Sequence, residues 1–243
     1  MTNNRPKTST AFADEEWDFT VIGHRGAAGH APENTLASFA KAVSLGVPAV
    51  ELDVHVVDGQ LVVIHDDDVD RTTDGQGRLS DYSMAELRSL DAGAGERIPT
   101  LDEVFDALPA HIGVNVELKG AGTARPVAAS LEGSSRPVKV SSFDHDRLTE
   151  FAAQSPATPN APLFGRWREN VLAVARSLDA YAINLAQRIA SRDRIDAIRK
   201  AGYKVFVYTV NDFAAGQKFA DWGATGVFSD YPDRLMSLAS KRR

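Results

Sequence analysis

Short apolar runs alternate with stretches of helical period along most of the chain. Runs at 19–23, 49–54, 112–118, 138–142, 162–165, 181–185, 204–209 and 225–228 have the length and apolar content of buried strands. Apolar residues recur at helical spacing in 34–45, 123–131, 144–153, 169–177, 191–201, 212–222 and 231–239, so most strands are followed by a helix. Capping signals agree: Pro32, Glu33, Asn34 and Thr35 open one helix, and Gly46 and Gly202 stand where a helix C-cap is wanted. Eight strands in such alternation imply parallel βαβ units, in a closed or a doubly wound sheet.

The pattern breaks once. After the second strand, Asp58 and Gly59 signal a turn and 61–64 runs on as an extended piece, which predicts a hairpin. From about 66 to 98 the chain is rich in Asp, Gly, Thr and Ser, with a short helical pattern near 84–90. This stretch reads as an insertion on one face. A further helix starts at Thr100 and Leu101 and runs to Leu108. The polar start, 1–17, reads as a loose arm, and Lys241, Arg242 and Arg243 as a solvated tail. No linker splits the remainder, so 18–240 is expected to be one domain. At 243 residues, the chain matches the roughly 250 of a single eight-fold barrel.

Composition narrows the chemistry. Without cysteine, disulfides, thiolate catalysis and zinc–thiolate sites are excluded. The 27 basic and 33 acidic side chains leave a net charge of −6, which argues against a nucleic-acid partner. It permits an anionic substrate, since a metal and a few local cations can reverse the sign inside one pocket. Residues 1–16 lack a signal-like apolar run and no stretch of 18 apolar residues occurs, so no stable membrane anchor and a cytoplasmic location are expected.

In a barrel, reactive groups gather at the C-terminal ends of the strands. His24, Arg25, Glu51, Asp53, His55, Glu117, Lys119, Ser142, Arg166, Asn184, Thr209, Asn211, Ser229 and Asp230 all fall there. Glu51 and Asp53 are two apart on a strand and leave the same face, as do Glu117 and Lys119. Three carboxylates from adjacent strands, with oxygen donors only, suit one hard divalent cation, Mg²⁺ or Ca²⁺. The plainer alternative is ion pairing of these acids with Arg and Lys, without a metal. His24 and His65 are the acid–base candidates. Arg25, with Gly26 beside it to allow close backbone approach, suits a phosphate, and Lys119 is a second cation. His30, His55, His111 and His145 are read as structural, His55 least firmly because strand parity puts it with Glu51 and Asp53. For Tyr208 and Phe143 a place in the core is favoured over the pocket wall.

In order, the chain carries His24, Arg25, Gly26; Pro32, Glu33, Asn34, Thr35; Glu51, Leu52, Asp53; Ile64, His65, Asp66; and Arg71, Thr72, Thr73, Asp74, Gly75. Leu90 to Gly93, Ile98 to Leu101, Glu117 to Lys119, Ser141 to Phe143, Tyr208 to Asn211 and Gly226 to Asp230 follow. This ordered set, spanning about 22–233, resembles the glycerophosphodiester phosphodiesterase family. The resemblance implies a (β/α)₈ TIM barrel with a small subdomain inserted after the second strand. It also implies a divalent cation on Glu51, Asp53 and Glu117, His24 and His65 as acid and base, and Arg25 and Lys119 facing the phosphate. The implied reaction is hydrolysis of a small glycerophosphodiester to glycerol 3-phosphate and an alcohol, by direct water attack or through a cyclic phosphate. Three departures bear on substrate choice: a short 94–97 segment without aromatics, a short 120–136 unit, and Tyr208 where members often have Trp. Rival expectations are a lipid-directed barrel phosphodiesterase and a catalytically silent barrel.

Overall fold

The computed structural model describes residues 17–241. Eight parallel strands close on themselves: β1 (Trp17–Gly23), β2 (Ala49–Val57), β4 (Gly113–Leu118), β5 (Val138–Ser142), β6 (Asn160–Phe164), β7 (Ala182–Ala186), β8 (Lys204–Tyr208) and β9 (Gly226–Ser229). Each pairs with the next, and β1 pairs with both β9 and β2, so no edge is left in the ring. The helices α1 (Leu36–Ser44), α3 (Leu101–Ala107), α4 (Ala124–Ser130), α5 (His145–Gln154), α6 (Val171–Ser177), α7 (Arg192–Lys200) and α8 (Phe213–Asp221) pack outside. Of the two sheets the sequence permits, the closed one forms.

Alternation along the strands builds two cores. Outward residues such as Val50, Leu52, Val114, Val116, Ile183 and Val207 meet the helices in one large cluster. Inward residues Ile22, Ala49, Ala161, Ala182, Phe206 and Phe228 plug the lower barrel. The plug leaves polar side chains to line the upper end.

The predicted hairpin is present: β3 (Gln60–Val63) runs antiparallel to β2. Asp58 (φ 49°) and Gly59 (φ 76°) both take the left-handed region that a tight hairpin turn requires. Beyond it, Val62, Ile64, Val69, Leu79, Met84, Leu87 and Ile98 form a separate small core. The insertion therefore has its own packing, with α2 (Met84–Leu87) closed by a Ser83–Glu86 capping box.

Two expectations are corrected. The helix expected over 231–239 is replaced by 3₁₀ turns at Pro232–Arg234 and Met236–Leu238. The chain here packs Leu235 and Leu238 against α8 at Gly216, where a Cβ would stand 2.7 Å from Leu235 and 2.8 Å from Leu238. The predicted tail is also partly structured, since β10 (Ser240–Lys241) pairs antiparallel with β1. Arg242 and Arg243, and residues 1–16 of the expected arm, lie outside the described residues, while Trp17 already belongs to β1.

Candidate active site

The upper end of the barrel holds a pocket of about 200 Å³, lined among others by His24, Arg25, Glu51, His65, Glu117 and Asn184. The register brings the acids together: Asp53 on β2 pairs with Glu117 on β4, and Glu51 lies one inward position below Asp53. One carboxylate oxygen from each of Glu51, Asp53 and Glu117 falls within 4.8 Å of the others. All three residues are buried.

Like charges in so small a space resist ionisation. Burial, then the neighbouring Asp53 and Glu117, pushes the Glu51 carboxyl well above its usual range. Burial and Asp53 push Glu117 up to about 7, against the pull of Lys119, whose Nζ lies 3.3 Å from Glu117 Oε1. Glu51 Oε1 accepts no hydrogen bond. Arg25 and Lys119 thus compensate the cluster only in part, and ion pairing alone does not account for it. A buried, all-oxygen set with an unused oxygen fits a hard divalent cation.

The loop after β1 is shaped around these acids. Arg25 takes a left-handed backbone (φ 49°), and its N–H donates to Glu51 Oε2 at 2.9 Å. Its guanidinium reaches Glu33 Oε1 at 2.6 Å and lies 3.4 Å from Asp53. Asn34, also left-handed (φ 59°), donates to Asp53 Oδ2 at 3.0 Å. That turn delays α1, which starts at Leu36 behind the Thr35 cap and not at Asn34. Gly26 does permit close approach, but to α1: a Cβ there would meet Ser38 Oγ at 2.5 Å.

The two imidazoles face the cluster from different elements. His24 presents Nδ1 to Asp230 Oδ1 at 2.7 Å, and its Nε2 lies 3.9 Å from Glu51. Asn211 steadies Asp230 by donating to Oδ2 at 2.7 Å and accepting from its backbone N–H at 2.9 Å. His65 presents Nδ1 to Asp66 Oδ1 at 2.5 Å and Nε2 to Lys119 Nζ at 3.0 Å. A lysine ammonium only donates, so Nε2 of His65 accepts and the ring proton sits on Nδ1. Burial lowers the affinity of His65 for a second proton.

The seven residues singled out for catalysis, phosphate and metal therefore converge. Asn184 and Thr209 line the same pocket. Phe143 and Tyr208, favoured as core, line it too, with rings 5.9 Å apart edge to face. Ser142 turns away and donates to Leu118 O, so that Ser141 is the one at the pocket. Arg166 is not among the lining residues. His55 places Nε2 against His65 O at 3.2 Å, and His30 and His145 pair with Asp233 and Leu163 O. The sequence had marked Asp230 and Asn211 as strand-end residues without a role, and had named Glu33 and Asn34 only as capping and motif residues and Asp66 only as a motif residue, none of them as an anchor. For Asp66 the signal was its place directly after His65.

The family model described as the glycerophosphoryl diester phosphodiesterase family matches residues 24–234. The YhdW protein of Bacillus subtilis is 39% identical over 234 residues, covering 89% of this chain and 96% of its own length. A glycerophosphodiester phosphodiesterase of Caldanaerobacter subterraneus subsp. tengcongensis is 34% identical over 237 residues, covering 91% and 98%. Among solved structures, an Oleispira antarctica phosphodiesterase in complex with the product sn-glycerol-3-phosphate superposes with a TM-score of 0.85. It shares 34% identity, over 90% of this chain and 95% of its own.

Proposed function

The chain belongs to the glycerophosphoryl diester phosphodiesterase family, and from that premise we propose that it hydrolyses glycerophosphodiesters to glycerol 3-phosphate and an alcohol at the barrel mouth. The observation that carries this reading is the buried triad of Glu51, Asp53 and Glu117, closed to within 4.8 Å and flanked by two imidazoles.

Glu51, Asp53 and Glu117 would hold one divalent cation, Mg²⁺ or Ca²⁺. A hard cation at such a site supplies positive charge that makes an anionic diester open to attack. Arg25 and Lys119 offset the remaining phosphate charge, Arg25 as a planar fork and Lys119 as a point charge. The lone pair on Nε2 of His65 casts that ring as the base that takes the nucleophile's proton. His24, its Nδ1 fixed on Asp230, gives a proton to the departing alkoxide from Nε2. Phe143 and Tyr208 form an aromatic wall along one side of the pocket.

The test is release of glycerol 3-phosphate from a panel of glycerophosphodiesters, with chelator and after adding back Mg²⁺ or Ca²⁺. Loss on chelation and recovery with one of the two ions is expected. Release that survives exhaustive chelation would remove the metal, and no release from any diester would remove the substrate class.

A further inference from the structure

Arg71 stands on the insertion, outside the pocket lining, with its side chain 47% exposed. An exposed ion pair is ordinarily worth about 0–1 kcal/mol and needs no functional account. The hydrogen bonds of Arg71 are not those of an ordinary pair. Its Nε donates to Asp66 Oδ2 at 2.6 Å, while Nη1 and Nη2 grip both oxygens of Glu33 at 2.8 and 2.7 Å. Each of these carboxylates passes the contact on. Asp66 Oδ1 meets Nδ1 of His65, and Glu33 Oε1 meets Nη1 of Arg25. One guanidinium thus joins the anchor of the proposed base to the anchor of the proposed phosphate fork. The turn that carries Arg71 is itself fixed, since Thr73 bonds back to the carbonyl of Val69 through both its N–H and its hydroxyl, and Val69 is fully buried in the insertion's core.

We propose that Arg71 is a positioning residue that sets His65 and Arg25 together, so that the insertion serves as the yoke between proton transfer and phosphate binding. This rests on the phosphodiesterase reading above. The planar fork is essential to it: a lysine in the same place offers a point charge that cannot hold the two carboxylates in one plane.

The experiment compares Arg71→Ala, Arg71→Lys and Arg88→Ala. Arg88 is the control because it grips Glu103 with two nitrogens in the same part of the chain, away from the pocket. Arg71→Ala is expected to lower kcat roughly 10–100-fold, the usual range for residues that orient the groups of a site, and to raise KM as Arg25 loses its hold. Free guanidinium ion should restore part of the loss, where the same concentration of NaCl does not. Arg71→Lys should stay closer to Arg71→Ala than to wild type, and Arg88→Ala should keep normal turnover. Adding Arg71→Ala to Asp66→Asn or to Glu33→Gln should cost less than the sum of the single changes. Imidazole NMR of the same proteins reads the brace without turnover: a protected Nδ1 proton on His65 is expected in wild type and its loss in Arg71→Ala. Normal turnover and an unchanged His65 signal in Arg71→Ala would overturn the proposal. So would equal losses in Arg71→Ala and Arg88→Ala, which would mark a loosened insertion. If wild type cleaves no glycerophosphodiester, the substrate reading falls, and the NMR comparison alone decides whether Arg71 sets His65.

Discussion

His24 and His65 look onto one acidic cluster from two unlike supports. His24 is carried by the barrel: its backbone N–H bonds Ser229 O on β9, its ring bonds Asp230, and Asn211 from beyond β8 holds Asp230 in two places. Strand register sets that side. His65 is carried by the insertion, through Asp66 and the half-exposed Arg71. Ion pairs and a small separate core set that side. The difference shows that closing a parallel barrel places the acids, the two cations and one ring, and that the chain inserted after the hairpin anchors the second ring.

Removing either ring tests whether both halves are needed. His24→Ala and His65→Ala should each lower kcat roughly 10²–10⁴-fold, with folding intact. Steady-state kinetics checks this, and normal turnover in either variant would take that ring out of the reaction. One step further out, Asp230→Asn and Asp66→Asn should each lower kcat roughly 10–100-fold. A loss confined to one of the two would show that the halves are not equivalent in function.

Acid separates the sides by sign. In the metal-free chain, Glu117 is pushed up to about 7 from an unfolded value near 4.5. Its contribution to stability is therefore fully present below about 4.5 and is lost as pH rises through about 7. Asp66 is held at about 2 against an unfolded 3.8: burial opposes this, and hydrogen bonds from Arg71 and His65 enforce it. Its contribution is present above 3.8 and lost as pH falls through about 2. Denaturant titrations of chelated protein should show the first effect, and Arg71→Ala should shrink the second to what His65 alone sustains. The smallest effect is expected far from both rings: Ser83→Ala breaks the capping box of α2 and should cost about 1 kcal/mol, read by denaturant melts, with turnover intact.

Strand positions were legible because buried parallel strands are continuous apolar runs, and the two-residue spacing of Glu51 and Asp53 put them on one face, which the register of β2 with β4 extends to Glu117. The sequence could not choose a closed sheet over an open one on periodicity alone; the contacts of β1 with both β2 and β9 decide that. The 231–239 segment has helical spacing, yet its apolar residues are spent on a close approach to Gly216. Ser142 and Ser141 exchanged places because parity at a strand end depends on one residue of register. The anchors Asp66 and Glu33 carry no periodic signal, since what defines them is a partner distant in sequence, Arg71. Phe143 and Tyr208 resemble core residues in composition, and only the shape of the mouth assigns them to its wall.

Isothermal titration of the chelated chain with Mg²⁺ and with Ca²⁺ tests the central claim most directly. One ion bound per chain, with binding lost in Glu51→Gln and in Glu117→Gln while both variants stay folded, is the predicted result. No binding of either ion, or affinity unchanged by both substitutions, would contradict it.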